Sequence, residues 1–247
     1  MPEENTRTKS SEDIAAITEV ARAAEAALAA VVEYLKTEKE PAAEAAHAII
    51  DEVLEAHGCE SPEGHIVASG PASAEPHERG SGIIREGEPI VIDVYPRSKQ
   101  TGYYADITRT VCLGEPSPEL ARLCATVREA HALATSMVLP GVSAREVYEE
   151  VCRFFNEQGY ATSGTGTLFP FAEGFVHGLG HGVGLDVHEP PRLGRASKDV
   201  LAVGDVITIE PGLYYEAIGG VRIEDLYVIR KTGVEPLTRA GIELQLL

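Results

Sequence analysis

The sequence predicts an α+β domain built from two copies of one plan, and three observations carry that prediction. Each half orders two amphipathic helices before a set of strands. Each half also ends an apolar strand in an acid, PIVID at Asp93 and VITIE at Glu210. A second strand in each half carries another acid, at Asp106 and Glu224. The separations, 117 residues from Asp93 to Glu210 and 118 from Asp106 to Glu224, match to one residue. Two copies are too few for a solenoid, so the period reads as a pseudo-twofold domain whose halves share one sheet. The expected boundaries are a flexible N-terminus over 1–9, a first half over about 10–114 and a second over about 115–247, with no Gly/Ser or Pro-rich linker between the halves.

Taken in order, Ser10 and Asp13 form a capping box, and Ile14, Ile17, Ala21, Ala24, Leu28, Val31, Val32 and Leu35 follow at helical spacing. After Pro41, Ile49, Ile50, Val53 and Leu54 line a second helix that Gly58 ends. HIVASG, PIVIDVYP and GYYADITRTVCLG are rich in β-branched and aromatic residues between Gly and Pro, which predicts strands. The second copy opens at Ser117-Pro118 with Leu120, Leu123, Cys124 and Val127. Ser143 with Glu146 then predicts a capped helix carrying Val147, Val151, Phe154 and Phe155 before Gly159.

Composition narrows the function classes. Asp and Glu number 39 against 21 Lys and Arg, a net charge of −18, and no basic run could follow a phosphate backbone, so nucleic acid is excluded as the expected partner. Cys59, Cys112, Cys124 and Cys152 form no C-x-x-C pair and read as buried thiols in a reducing compartment. No apolar run approaches the ~20 residues of a membrane span, and the N-terminus lacks an apolar signal core, so a soluble cytoplasmic protein is expected.

Asp93 and Glu210 have neighbours that read as buried, and a buried carboxylate must be protonated, paired with a cation or bound to metal. Salt bridging to Arg85, Arg109 or Arg222 is one reading. Four facing carboxylates, however, repel more strongly than side chains usually compensate, and two divalent cations resolve that. HGLGHGVGLDVHEPP, residues 177–191, places three histidines beside glycines. Glycine disfavours a helix here, and the glutamate of H-E-x-x-H is missing; the stretch reads as a strand whose backbone passes close to something. One histidine is then a candidate metal ligand and the others candidate substrate contacts. His47, His57, His65 and His131 read as structural, His47 and His131 on helices.

Asp93, Asp106, His181, Glu210 and Glu224, set in IDVYP, ADITRT, HGLGHGVG, IEPGLYY and GGVRIED, resemble the ligand series of the pita-bread metallopeptidases, the family of methionine aminopeptidase, aminopeptidase P and prolidase. The resemblance runs from about Ser10 to the end. It implies the pita-bread fold with a curved antiparallel sheet and two divalent ions, Mn²⁺ leading and Co²⁺, Fe²⁺ or Zn²⁺ as alternatives. Asp93 would chelate one ion, Asp106 and Glu224 would bridge both, His181 would bind the second, and Glu210 would bind a metal while holding a bridging water. That water would attack the peptide carbonyl, with Glu210 passing the proton to the leaving nitrogen. His177 and His188 match catalytic and substrate-contacting positions, His77 in PHERG resembles a histidine at the pocket mouth, and Arg222 resembles the arginine that buttresses the metal-bound carboxylates.

His177 before GLGH, HEPPRLGR and the close Glu210 to Glu224 spacing resemble the prolidase and aminopeptidase P branch, which implies hydrolysis of Xaa-Pro bonds in small peptides and allows a homodimer. Members of that branch carry an N-terminal domain that limits substrate length, so its absence from this chain predicts a wider cleft. The short chain is similar instead to methionine aminopeptidase, which is the alternative, with an inactive peptide-binding module of the same fold as the second. Arg192 or Arg195 is a candidate to hold a peptide carboxylate and Tyr214 to line the pocket, with surface charge and core packing as the competing roles.

Overall fold

The computed structural model describes residues 7–163, 173–241 and 245–246. Helix α1 (Ser11–Thr37) opens at the expected capping box: Ser10 Oγ accepts from the Asp13 amide, and the Asp13 carboxylate accepts from the Ser10 amide. Helix α2 (Ala43–Ala56) stops just before Gly58, whose φ of +69° supplies the left-handed turn that ends it. A short ribbon pairs β1 (Cys59–Glu60) with β4 (Arg97–Ser98). The strands β2 (Ile66–Ser69), β3 (Pro89–Val94) and β5 (Ile107–Cys112) form the first sheet.

The second half repeats the order with α3 (Pro118–Met137), α4 (Ala144–Glu157) and the strands β6 (Gly180–Gly182), β7 (Glu189–Leu193), β8 (Val206–Ile209), β9 (Gly212–Tyr215), β10 (Gly219–Arg222), β11 (Asp225–Arg230) and β12 (Gly233–Pro236). Ser117 caps α3 by accepting from the Leu120 amide at 3.1 Å. Ser143 does not act as the expected cap. Its hydroxyl makes no capping bond because backbone pairing with Val200 sets its position, and the Ala144 amide is satisfied by the Asp199 carbonyl.

The first sheet runs β13–β5–β3–β2, where the short β13 (Gln245–Leu246) joins β5 in parallel and the other pairs are antiparallel; the second runs β12–β11–β8–β6–β7, antiparallel throughout. They meet at Thr108 and Glu224, where the Glu224 amide donates to the Thr108 carbonyl at 3.0 Å. Helices α1 and α2 pack on β3, β5 and β2, while α3 and α4 pack on β7 to β10.

Strand alternation then sets the direction of the acids. In β3, Ile90, Ile92 and Val94 join the core with Ile17, Leu28, Ile50 and Leu54 of the helices, so Asp93 is left on the opposite face. In β8, Ile207 and Ile209 join Leu120, Leu123, Val147 and Phe155, which leaves Thr208 and Glu210 on the other side. Each such fully buried aliphatic side chain contributes roughly 1.5–3 kcal/mol. No helix among the described residues is long and apolar enough to cross a membrane.

Candidate metal centre

The cavity where the halves meet measures about 400 Å³, and Asp93, Asp106, His181, Glu210 and Glu224 all line it. Ligand atoms of Asp106, His181 and Glu224 lie within 4.8 Å of one another, and all three residues are buried. His181 Nε2 faces three carboxylates, 3.4 Å from Glu210 Oε1, 3.8 Å from Asp106 Oδ2 and 3.9 Å from Glu224 Oε1. His181 Nδ1 lies 3.2 Å from the Gly182 carbonyl, which can only accept, so the ring proton sits on Nδ1 and the Nε2 lone pair points at the acids.

That arrangement is unfavourable without a cation. Asp93 Oδ1, Asp106 Oδ1 and Glu224 Oε1 are buried with no hydrogen-bond partner among the described residues. Burial first, then the neighbouring acids, raise the carboxyls of Asp106 and Glu224 well above their ordinary range. Burial, aided by Asp93 and opposed by Arg222, pushes Glu210 up to about 8. Burial and His188 push His181 down to about 3. A neutral imidazole and orphaned carboxylate oxygens, with Asp106, Glu210 and Glu224 forced toward neutrality, form a donor set that divalent ions fit.

Two hydroxyls hold the donors. Thr108 Oγ1 donates to Glu224 Oε2 at 2.7 Å, and Thr208 Oγ1 accepts from the His181 amide at 3.1 Å. The sequence reading missed both, although each stands two residues from an acid on the same strand face, Thr108 after Asp106 and Thr208 before Glu210. Glu63 and Tyr95 also line the cavity without having been singled out.

The salt-bridge reading applies to one acid. Arg222 Nη2 donates to Asp93 Oδ2 at 2.6 Å, while its Nε reaches Thr108 Oγ1 at 3.2 Å and its Nη1 reaches Tyr214 Oη at 2.9 Å. Burial opposes the charge on Arg222, yet Tyr214 and the acids around it raise its pKa. Because Arg222 only donates, the Tyr214 proton turns to His177 Nε2, 2.9 Å away, and His177 Nδ1 donates to the Gly178 carbonyl at 2.7 Å. His177 is thus tied on both nitrogens, and burial with Arg222 beside it pushes it down to about 3.

His77 and His188 stand exposed at the cavity, His188 stacked edge-on against His181 with ring centroids 4.3 Å apart. Tyr214 is fully buried and reaches the site through its hydroxyl instead of lining the cavity. Arg192 lines the cavity, whereas Arg195 lies in a separate hollow with Arg145, Tyr148 and Cys152.

The glycines of the histidine stretch explain its backbone. A Cβ on Gly180 would lie 2.1 Å from the Thr208 carbonyl oxygen, and one on Gly182 would lie 2.3 Å from that of Pro190. Gly180→Ala is therefore expected to destabilise the protein by about 1–3 kcal/mol and to weaken Mn²⁺ binding, since Thr208 also holds His181. Urea unfolding with and without Mn²⁺ measures both effects.

The raised acids and lowered histidines predict a pH signature for metal-free protein. Carboxyls whose folded pKa is raised stabilise at low pH, and that contribution is lost as pH rises toward about 8; the histidines act oppositely, losing stability only as pH falls below 6.5. By about pH 7.5 the histidines of the unfolded chain are almost all neutral, so between about pH 7.5 and 8 the carboxyls dominate. Stability is expected to fall there by up to about 1.4 kcal/mol per pH unit for each such carboxyl, and saturating Mn²⁺ should abolish the slope. Denaturant titrations at three pH values in that window would contradict this if the metal-free curves coincide.

What the duplication brings together is a candidate metal site, and the chain belongs to metallopeptidase family M24, which matches residues 15–231. Among its relatives, it is 36% identical over 241 residues to the Xaa-Pro dipeptidase of Pyrococcus furiosus, covering 96% of this chain and 64% of that protein. It superposes on the prolidase of Pyrococcus horikoshii with a TM-score of 0.87 at 35% identity, covering 97% of this chain and 65% of the other. For the X-Pro aminopeptidase of Thermotoga maritima the TM-score is 0.86 at 31% identity, covering 98% of this chain and 65% of the other. The chain thus spans a little under two thirds of the length of these relatives.

Proposed function

We propose that this chain is a dinuclear metal-dependent peptidase that hydrolyses Xaa-Pro bonds in small peptides. The observation that carries the reading is the convergence of Asp93, Asp106, His181, Glu210 and Glu224 on a single cavity, with three carboxylate oxygens orphaned among the described residues. Similarity to an Xaa-Pro dipeptidase, a prolidase and an X-Pro aminopeptidase supports the choice of substrate.

Asp93, Asp106, His181, Glu210 and Glu224 would hold the ions, Asp106 and Glu224 from the seam between the halves. Bound there, two divalent ions supply Lewis acidity that polarises a peptide carbonyl and makes water nucleophilic near neutral pH. Glu210 takes up the water's proton and delivers it to the leaving nitrogen. Its side chain, at 17% exposure, is the most accessible of the four acids, against 10% for Asp93, 6% for Asp106 and 3% for Glu224. His188 and His77, exposed at the cavity, bind the peptide and donate to its oxygens. Arg222 orients Asp93 through its 2.6 Å bond.

The test is a competition assay on chelator-stripped protein resupplied with Mn²⁺, offering a Met-Ala-Ser peptide, an Xaa-Pro dipeptide and a longer Xaa-Pro peptide. Cleavage of the Pro peptides is expected, and their length dependence separates dipeptidase from aminopeptidase. Cleavage of the Met peptide alone assigns a methionine aminopeptidase, and silence on all three with stoichiometric metal bound overturns the Xaa-Pro reading.

A further inference from the structure

The seam that carries Glu224 has a second buried Arg–Asp pair, on the face turned away from the cavity. Thr108 and Glu224 meet on the cavity face, so their strand neighbours Arg109 and Asp225 point the other way. Arg109 Nη2 donates to Asp225 Oδ1 at 2.6 Å, and the two side chains are 5% and 6% exposed. All five guanidinium N–H groups are engaged. Nε reaches the Gly241 carbonyl at 2.7 Å, Nη1 reaches the carbonyls of Thr108 at 2.9 Å and Glu224 at 2.6 Å, and Nη2 also reaches that of Ala240 at 2.7 Å. Asp225 Oδ1 accepts in addition from Thr238 Oγ1 at 2.7 Å, and its Oδ2 lies 3.3 Å from His131 Nε2 on α3.

None of these side chains lines the cavity, so peptide recognition does not account for them. Stability accounts for them poorly, because a buried ion pair is often no better than an apolar pair of the same volume. What an apolar pair could not do is grip the Glu224 carbonyl. Glu224 is held to the first half at three points: its carbonyl by Arg109, its amide by the Thr108 carbonyl and its carboxylate by Thr108 Oγ1. Asp106 stands two residues before Thr108 on that same stretch. The separation of the two seam carboxylates is therefore set by how firmly β11 is pinned to β5.

We infer that Arg109 is a positioning residue for the metal centre: with Asp225 it clamps the Glu224 backbone to β5, fixes the Glu224 carboxylate against Asp106 and His181, and couples that geometry to the segment Thr238–Gly241. The inference rests on the metal-site reading above. Ligand distances tolerate only a few tenths of an ångström, so a slack seam is felt as lost metal affinity before it is felt as lost fold. Lysine cannot substitute, since it brings three donors to a site with five acceptor contacts and lacks the planar fork.

The experiment compares the parent chain with Arg109→Lys and Asp225→Asn, measuring Mn²⁺ affinity by calorimetry on chelator-stripped protein and the metal-free melting curve by circular dichroism. Both variants are expected to melt cooperatively and to bind Mn²⁺ about 10- to 100-fold more weakly. Arg230→Lys, at the exposed pair with Glu235, should keep the parent affinity. A folded Arg109→Lys with parent affinity overturns the inference whatever its melting temperature, because a purely structural role would move only the melt. If Arg109→Lys does not fold, Asp225→Asn is judged by the same criterion. If neither folds, Thr238→Val, which removes one bond to Asp225, must weaken Mn²⁺ binding at least threefold or the inference falls. A parent that binds no Mn²⁺ brings down the metal reading and this inference together; a parent that binds it normally, with variants that match, brings down this inference alone.

Discussion

His181→Ala is expected to lower Xaa-Pro hydrolysis by a factor of about 10³ or more at saturating Mn²⁺ while leaving the protein folded. Alanine removes the one nitrogen donor that faces Asp106, Glu210 and Glu224, at 3.4–3.9 Å. Losing several kcal/mol of metal-derived transition-state stabilisation corresponds to that factor, at tenfold for each 1.36 kcal/mol. Folding should survive because the backbone anchor is separate: the His181 amide donates to Thr208 Oγ1, an interaction alanine keeps. The ring's burial also costs the metal-free protein something, since a neutral imidazole wedged among acids exchanges water for a long bond to the Gly182 carbonyl at 3.2 Å. Calorimetric metal titration together with kcat/KM would decide it: a variant that binds metal with parent stoichiometry and retains more than a tenth of the activity removes His181 from the ligand set.

Arg222→Met carries the largest expected effect on stability. Arg222 is the cation that reaches Asp93, and it also bonds Thr108, Tyr214 and the Pro76 carbonyl. Removing one partner of a buried pair strands the other and costs about 3–5 kcal/mol. The metal state should change that cost. Without metal, Asp93 is left among three other acids without its directly bonded cation; with metal, the ions take over part of the compensation. We therefore expect Arg222→Met to destabilise metal-free protein by about 3–5 kcal/mol and metal-loaded protein by clearly less. Denaturant curves in chelator and in Mn²⁺ measure the difference, and equal losses in both would mean that Arg222 serves packing and not the charge balance of the site. The same substitution releases Tyr214 Oη from its donor, so the orientation of His177 should loosen as well.

The candidate site was legible to different depths in its different parts. The four acids could be read because the duplication repeats their spacing and because strand-ending acids in apolar surroundings demand a counter-charge, whereas the glycine-rich stretch offered three histidines and only the family resemblance singled out His181. The arginines were less legible. Arg85, Arg109 and Arg222 were equivalent salt-bridge candidates by composition, and only the resemblance singled out Arg222; the fold gives Asp93 to Arg222 and turns Arg109 to the opposite face, against Asp225. Strand parity distinguishes those two positions, but parity is useful only when the pairing of β5 with β11 is known, and that contact spans 116 residues. Arg195 shows the same limit from the other side. It stands three residues after Arg192, and only the course of the chain after β7 puts Arg192 at the cavity and Arg195 in another hollow.

Local chemistry, then, is what the sequence determined by itself: capped helices, apolar strand runs, the doubled plan and the residue types able to hold divalent ions. Each of these depends on neighbours a few residues away or on an exact repeat, so one chain read in order suffices. The tertiary structure alone decided which oxygens are orphaned, which histidine is tied on both nitrogens, and that Tyr214 serves the site from behind instead of from the cavity wall. Those are properties of distance and direction between segments apart in sequence, 37 residues for His177 and Tyr214 and 129 for Arg222 and Asp93, and they come into being only when the strands pack together.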